Sequence, residues 1–206
     1  MSLYEKYVLP KFLNCACGSR PVERQRKKVV PLAEGKVLEI GIGSGLNIPF
    51  YDKSKIVEVW GLDPSDALCE MAKKVALKES LEINFISSGA EEIPLPDNHF
   101  DTVLITYTMC TIPEVLRAND EIRRVLKSEG KMIFCEHGVA PDENIRKWQN
   151  RINPYWGMLA GGCNINRNIP SLIEDSGFDI VELEEMYLPK TPKIAGYNYW
   201  GYAVVK

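Results

Sequence analysis

In the stretch GKVLEIGIGSGLNIPFY, residues 35–51, three glycines follow a short apolar run at every second position, and one acid, Glu39, precedes them. Glycines between a strand and a helix let the backbone approach a ligand closely and take turns closed to other residues. The dinucleotide fingerprint G-x-G-x-x-G is not met. The glycines are Gly41, Gly43 and Gly45, and Leu46 stands where the third should fall. Glu39, two positions ahead of the first, would also repel a pyrophosphate. A positively charged ligand removes that conflict. A second acid, Asp63, ends the next apolar run in GLDPS, eighteen residues beyond Gly45. A carboxylate there is placed to accept hydrogen bonds from a ribose diol.

S-adenosylmethionine satisfies both acids, because it carries a sulfonium and an ammonium group and no phosphate. Glu39 is expected to pair with the ammonium, directly or through water. Gly41 and Gly43 let the chain pass beneath the carboxypropyl and ribose parts, and the expected cofactor set extends to Gly45 and Asn47. Asp63 holds the ribose hydroxyls, with Pro64 and Ser65 flanking ribose and adenine. In SSGAEEIP, residues 87–94, the run from Ser88 through Gly89 and Ala90 to Glu91 is placed along the adenine edge. Thr106 and Tyr107, in ITYTMCT, face the methionine moiety. All four stretches fall at the carboxyl ends of predicted parallel strands, where open α/β sheets bind ligands. S-adenosylhomocysteine would be the product.

Five short apolar runs position these residues: KVLEI (36–40), VEVWGL (57–62), INFISS (83–88), DTVLITY (101–107) and KMIFCEH (131–137). Amphipathic helices are predicted between them. One spans 64–79, with Ser65 or Asp66 as its cap. Another spans 113–127, with Gly130 as its stop. The alternation points to an α/β fold, a parallel sheet covered on both faces. The last third departs from it. A helix over 143–159 is closed by Pro154, the loop AGGCNINRN follows, then a short helix at 170–177. FDIVELEEMY (178–187) and YNYWGYAVV (197–205) close the chain with no helix between them, which suggests an antiparallel pair at one sheet edge. Residues 1–34 read as a helical preface or cap, with Tyr4, Tyr7, Val8 and Phe12 on one side, and residues 35–206 as the ligand-binding domain.

Together these motifs resemble class I S-adenosylmethionine-dependent methyltransferases, from VLEIGIGSG through GLDPS, SGAEEIP, FDTVLITYT and GKMIFCEHG. The resemblance covers residues 35 to 206. It implies a seven-stranded, mostly parallel, Rossmann-like sheet with an antiparallel last strand. EHGVAP, WGMLAGGCNINR and GYAVVK are similar to one branch, the small methyltransferase-like family whose animal members are membrane-anchored alkyl-thiol methyltransferases. Its G-C-x-x-x-R tract is matched by Gly162, Cys163 and Arg167. Relatives with these core motifs also methylate phospholipid amines, quinone rings and other small molecules. The expected acceptor is a small, apolar molecule, a thiol first, with nitrogen, oxygen or carbon acceptors as alternatives.

Methyl transfer is an in-line displacement from which a neutral sulfide departs, so positioning accounts for much of the acceleration. A thiol or phenol acceptor must also lose its proton to a base. His137, at the end of the fifth strand, is the candidate, with Glu136 beside it competing for the role and a hydrogen-bonded strand-end histidine as the alternative. His99, in the polar turn PDNH, reads as a solvated turn residue. Tyr107 is a cofactor wall rather than a base, given its high ordinary pKa. Cys110, Trp156, Cys163 and Arg167 are the candidate acceptor contacts. Arg167 would orient an anion or cap the next helix. The aromatics of segment 143–167 either form an apolar lid or pack in the core.

Composition narrows the rivals. A net charge of −3 and a pI near 5.6 argue against nucleic acid as the main partner. The basic run Arg20–Lys28 reads as a solvated helix face. No stretch approaches the ~18 consecutive apolar residues of a membrane span. No export signal or hydrophobic anchor precedes the domain, so a cytoplasmic location is expected. Six scattered cysteines suit reduced thiols, and Cys15 and Cys17 alone are too few for zinc, so no metal is expected. The sequence leaves the oligomeric state open. A nicotinamide oxidoreductase and a non-catalytic cofactor-binding protein are the rival classes.

Overall fold

The computed structural model describes residue 14 and residues 16–206. The first described helix, α1 (Arg20–Val29), runs through a 3₁₀ turn (Val30–Leu32) into β1 (Gly35–Ile40). Then come β2 (Ile56–Leu62), α2 (Asp66–Glu79), β3 (Ile83–Ile86), β4 (Phe100–Thr106), α3 (Val115–Val125) and β5 (Leu126–His137). Helix α4 (Glu143–Leu159), helix α5 (Ile169–Asp175), β6 (Phe178–Tyr187) and β7 (Tyr197–Val205) complete the chain. The seven strands form one sheet in the order β3-β2-β1-β4-β5-β7-β6. Only β7 runs antiparallel to its neighbours, inserted between β5 and the edge strand β6.

Strand alternation sorts the core. Leu38 and Ile40 of β1, Val103 and Ile105 of β4, and Met132 and Phe134 of β5 face one side. There they pack with Ala118, Ile122 and Val125 of α3 and Ile169 and Ile173 of α5. Val37, Leu104, Ile133 and Cys135 face the other side, against Val29 and Val30 at the end of α1. By the same alternation Glu39 and Thr106 lie on the α1 side. The register pairs Ile40 with Leu62 on one neighbour and Ile105 on the other, and Thr106 with Cys135. The carboxyl ends of β1, β2, β4 and β5 therefore share one rim. The strand order reverses between β1 and β4, which places the binding crevice beside the glycine turn.

Helix α4 keeps the predicted span of 143–159, but Pro154 lies inside it and does not close it. Proline removes a single intrahelical bond, and Asn153 pins the second half of the helix to the following loop. Its Nδ2 donates to Asn164 Oδ1 at 2.9 Å and its Oδ1 accepts from Ile165 N at 2.9 Å. Gly130 is not the stop of α3. That helix ends at Val125, and Leu126, already extended, opens β5. β3, predicted to reach residue 88, ends at Ile86, where its ladder with β2 stops at Leu62. Ser65 caps α2 as read from the sequence, accepting from Leu68 N.

The inserted strand has one tight requirement. At Gly201 of β7 a Cβ would lie 1.8 Å from the carbonyl oxygen of Glu182, where the β6 register slips between Ile180 and Glu182. Backbone, not a movable side chain, fills that space. Gly201→Ala is expected to destabilise the protein by about 3 kcal/mol, read as a lower urea midpoint. A midpoint unchanged from wild type would show that the irregular β6–β7 pairing absorbs the methyl group.

Candidate active site

The turn after β1 is built from three left-handed glycines, and they do different things. A Cβ on Gly41 would strike the Thr108 side chain at 2.4 Å, and one on Gly45 would press on Ala72 of α2 at 3.0 Å. A Cβ on Gly43 would meet only the Gly41 carbonyl, at 3.8 Å. Among the described residues Gly43 is thus a conformational glycine with no side chain over it, and the outer two are packing glycines. Asp63 braces the turn. Its Oδ2 accepts from Gly43 N at 3.0 Å and its Oδ1 from Ser65 N at 2.8 Å. Burial raises its carboxyl pKa, against the lowering effect of those two N–H groups. Each oxygen keeps lone pairs for further donors. Pro64 follows on an exposed shoulder.

Glu39 lies beneath the turn, fully buried. Asn47 Nδ2 donates to its Oε1 at 2.9 Å and the Tyr51 hydroxyl to its Oε2 at 2.7 Å. Burial lifts its pKa to about 7 in spite of these donors and of Arg26, and the nearby Asp63 charge adds to the rise. Arg26 of α1 is 6% exposed, so the expected solvated face of Arg20–Lys28 fails at this residue. Its Nη1 donates to Asn47 Oδ1 and to Thr106 Oγ1, each at 2.6 Å. The guanidinium also lies 5.1 Å over the Tyr107 ring. Arg26 therefore joins the α1 side of the site to the ends of β1 and β4. Nothing in the sequence marks it beyond its place in a basic run.

Tyr107 has φ +53°, a conformation uncommon for aromatic residues and concentrated at functional sites. Its hydroxyl donates to Asn198 of β7 at 2.7 Å, and its ring stacks on His137 at a centroid distance of 6.5 Å. Glu136 is buried, and its Oε1 accepts from Thr108 N at 2.7 Å and Met109 N at 3.0 Å. It holds the loop after β4, and burial lifts its pKa to about 7. His137 Nε2 lies 3.3 Å from Cys163 Sγ. Burial pulls the imidazole pKa down, but the Cys163 contact and the charges of Cys163 and Glu136 push it up overall. The Cys163 thiol is lowered, chiefly by Cys110 alongside it and by His137 against the cost of burial, while Cys110 is raised.

Two clamps hold these loops. Gln149 of α4 is buried and fully used. Its Nε2 donates to the carbonyls of Gly138, Ile165 and Ile194, and its Oε1 accepts from Ala140 N, all at 2.9–3.0 Å. Arg167 donates to the carbonyls of Met109 and Ile112, so it fixes the β4–α3 loop. It does not cap α5; Asn168 does, accepting from Ser171 N. Trp156 packs on Cys110, Cys163 and Ile165. Trp148, Tyr155 and Met158 are 56%, 66% and 72% exposed, so the core reading fails for those three. In the loop after β3, Ala90 is buried, and Glu91 leans back over Gly89 and accepts from Glu114 N. His99 stands at the opposite end of β4, 3.5 Å from Glu58.

Among the described residues, Arg26 Nε, Glu136 Oε2, His137 Nδ1 and Trp156 Nε1 are buried without a hydrogen-bond partner. An unsatisfied buried group costs about 1–3 kcal/mol, so a polar partner at these atoms would be stabilising. A cavity of about 630 Å³ opens on the α1 side of the turn, bounded by Arg26, Ser44, Gly45, Phe50 and Lys74. Its wall includes neither Glu39, sealed under Asn47, nor Asp63.

A sheet of this order, with a glycine turn and a braced acid at its switch point, defines a class I S-adenosylmethionine-dependent methyltransferase. Residues 38–134 match the family model described as a methyltransferase domain, and S-adenosylmethionine is the cofactor of that class. The chain is similar to the thiol S-methyltransferase TMT1A of Homo sapiens, 27% identical over 178 residues, covering 84% of this chain and 72% of that protein. It is 27% identical over 161 residues to a demethylmenaquinone methyltransferase of Thermus thermophilus, covering 73% of each. Its fold is like that of a methyltransferase from Aquifex aeolicus, with a TM-score of 0.67 at 21% identity over 96% of this chain and 97% of that one. No described helix is long and apolar enough to cross a membrane.

The two raised glutamates make stability depend on pH. A carboxyl that titrates near 4.5 in the unfolded chain and about 7 when folded stabilises the protonated fold. Stability from this source is full below the unfolded value and declines as pH rises through the folded one. Glu136→Gln keeps an acceptor for Thr108 and Met109. It is expected to flatten part of the decline in urea midpoint between about pH 5 and pH 7.5. A slope equal to wild type would show that Glu136 folds already ionised.

Proposed function

We propose that the protein transfers the S-adenosylmethionine methyl group to the sulfur of a small, apolar thiol. The observation that carries this reading is the wall at the end of β5. Cys110, Cys163, His137 and Trp156 form a polarizable surface where the acceptor would meet the methyl group. The similarity to thiol S-methyltransferase TMT1A supports the same acceptor. A quinone-type carbon acceptor is the second reading, favoured by the similarity to the demethylmenaquinone methyltransferase.

In this reading Asp63 receives the ribose hydroxyls, and the open face of Gly43 admits the nucleoside. The buried set of Glu39, Asn47, Thr106 and Arg26 faces the amino-acid end. Arg26, whose Nε has no partner among the described residues, suits the cofactor's carboxylate. Glu39, already held by two donors, contributes field rather than a direct contact. The acceptor sulfur attacks the methyl carbon in line, the bond to the sulfonium sulfur breaks, and neutral S-adenosylhomocysteine leaves. His137 is the residue placed to take the thiol proton, since Tyr107 is pushed well above its ordinary pKa, mainly by burial. Residues 20–34 belong with the site in this reading, because α1 supplies Arg26.

Replacing Asp63 removes acceptors for two ribose hydroxyls. Asp63→Ala is expected to weaken S-adenosylmethionine binding about a hundredfold, with Asp63→Asn intermediate, by calorimetry on protein shown to melt cooperatively. Unchanged affinity would refute the ribose assignment. Incubation with labelled cofactor and a panel of alkyl thiols, amines and quinols is expected to label thiols first. Labelling of quinols alone would favour the second reading.

A further inference from the structure

The acceptor wall holds a cluster that neither spacing nor similarity assigns. One ligand-type atom each from Cys110, His137 and Cys163 lies within 4.8 Å of the other two. In a tetrahedral zinc site, bonds of ~2.0–2.3 Å put neighbouring ligand atoms roughly 3.5–3.8 Å apart. The Cys163 Sγ to His137 Nε2 separation is 3.3 Å, so small side-chain rotations carry the trio onto that geometry. The two cysteines are buried and form no disulfide.

The three come from separate segments, and each segment is clamped. Cys110 sits in the loop held by Glu136 and Arg167. The Cys163 loop is tied to it, with Asn164 N donating to Cys110 O at 2.9 Å. Gln149 fastens the residues after His137 to the same loop. Ligands fixed by a surrounding shell of hydrogen bonds are what a metal site requires.

We propose that Cys110, His137 and Cys163 hold a zinc-type divalent cation whose fourth position receives the acceptor thiol. Two thiolates and an imidazole suit a borderline-soft metal, and a three-ligand site leaves one position for substrate. A thiol that enters that position gives up its proton to solvent and is held as thiolate. The thiolate sulfur then forms its bond to the methyl carbon as the cofactor's carbon–sulfonium bond breaks, its electron pair staying on sulfur. The products are a neutral thioether, a poorer ligand that leaves, and S-adenosylhomocysteine. This inference rests on the thiol reading above, and it explains how the acceptor loses its proton even with His137 engaged as a ligand.

Cobalt(II), added to the reduced full-length chain, tests it. The expected result is uptake of one ion per chain, with thiolate-to-cobalt charge-transfer absorption, four-coordinate ligand-field bands, and displacement by zinc. Cys110→Ser and Cys163→Ser should each lose about half of the charge transfer, His137→Ala should shift the ligand-field bands, and Cys135→Ser should change neither. Thermal melting confirms that each variant is folded. An added alkyl thiol should raise the charge transfer again. Absence of these bands in the folded, reduced protein overturns the proposal, as does their survival in a Cys110→Ser/Cys163→Ser double variant. Stripping the metal should slow thiol methylation about a hundredfold, with zinc restoring it. Full activity after stripping overturns the metal's role and leaves the thiol reading standing. Cobalt bands at these residues in a protein that methylates no thiol, loaded or stripped, overturn the thiol reading and the fourth ligand together.

Discussion

The structure turns on a carboxylate kept out of water without a cation in contact. Glu39 is buried under the glycine turn and is held by a neutral amide and a phenol, Asn47 and Tyr51. Arg26 reaches it only through Asn47. Burying an acid and a guanidinium this way is unfavourable unless their hydrogen bonds are complete, and among the described residues Arg26 Nε has no partner. The acid answers that cost by titrating at about 7. The arrangement also couples parts of the chain far apart in sequence. Without α1 the Asn47 side-chain oxygen and the Thr106 hydroxyl lose the guanidinium that bridges them, and only the Asn47 Nδ2 to Thr106 Oγ1 bond is left to join the turn to β4.

The same economy governs the loops that follow β4 and β5. Glu136 spends one oxygen on two backbone N–H groups, Arg167 spends its guanidinium on two carbonyls, and Gln149 uses every hydrogen-bonding atom it has on three different segments. These side chains are polar, yet their work is architectural. They set the positions of Cys110, His137 and Cys163.

What was legible in the sequence follows physical locality. Period-two runs gave all seven strands, because both-face burial and edge alternation write themselves into successive residues. The position of the acids at the ends of β1 and β2, under and beside the glycine turn, could be read because a strand–turn–helix unit fixes its geometry within one short stretch. Arg26 could not, since nothing in RPVERQRKK separates a buried arginine from its solvated neighbours until α1 is packed on the sheet. The sulfur and imidazole cluster was equally hidden. Metal spacing rules work within a single loop, and these three residues meet only through tertiary closure. The family resemblance flagged Cys163 without saying what stood next to it. Pro154 misled for a related reason, because the bonds that carry α4 past it come from a loop read as separate.

The placement of β7 has a consequence for how the molecule comes into being. His137 lies on a strand whose outer edge is satisfied only by Asn198 through Val204, and Asn198 also receives the Tyr107 hydroxyl. Until that late segment slots in, β5 presents a bare, apolar row of backbone donors and acceptors, the kind of edge that recruits other chains. Assembly of the chemical centre and protection from aggregation are thus the same event. A nascent protein gains both at once, when its final strand threads between two that were made before it.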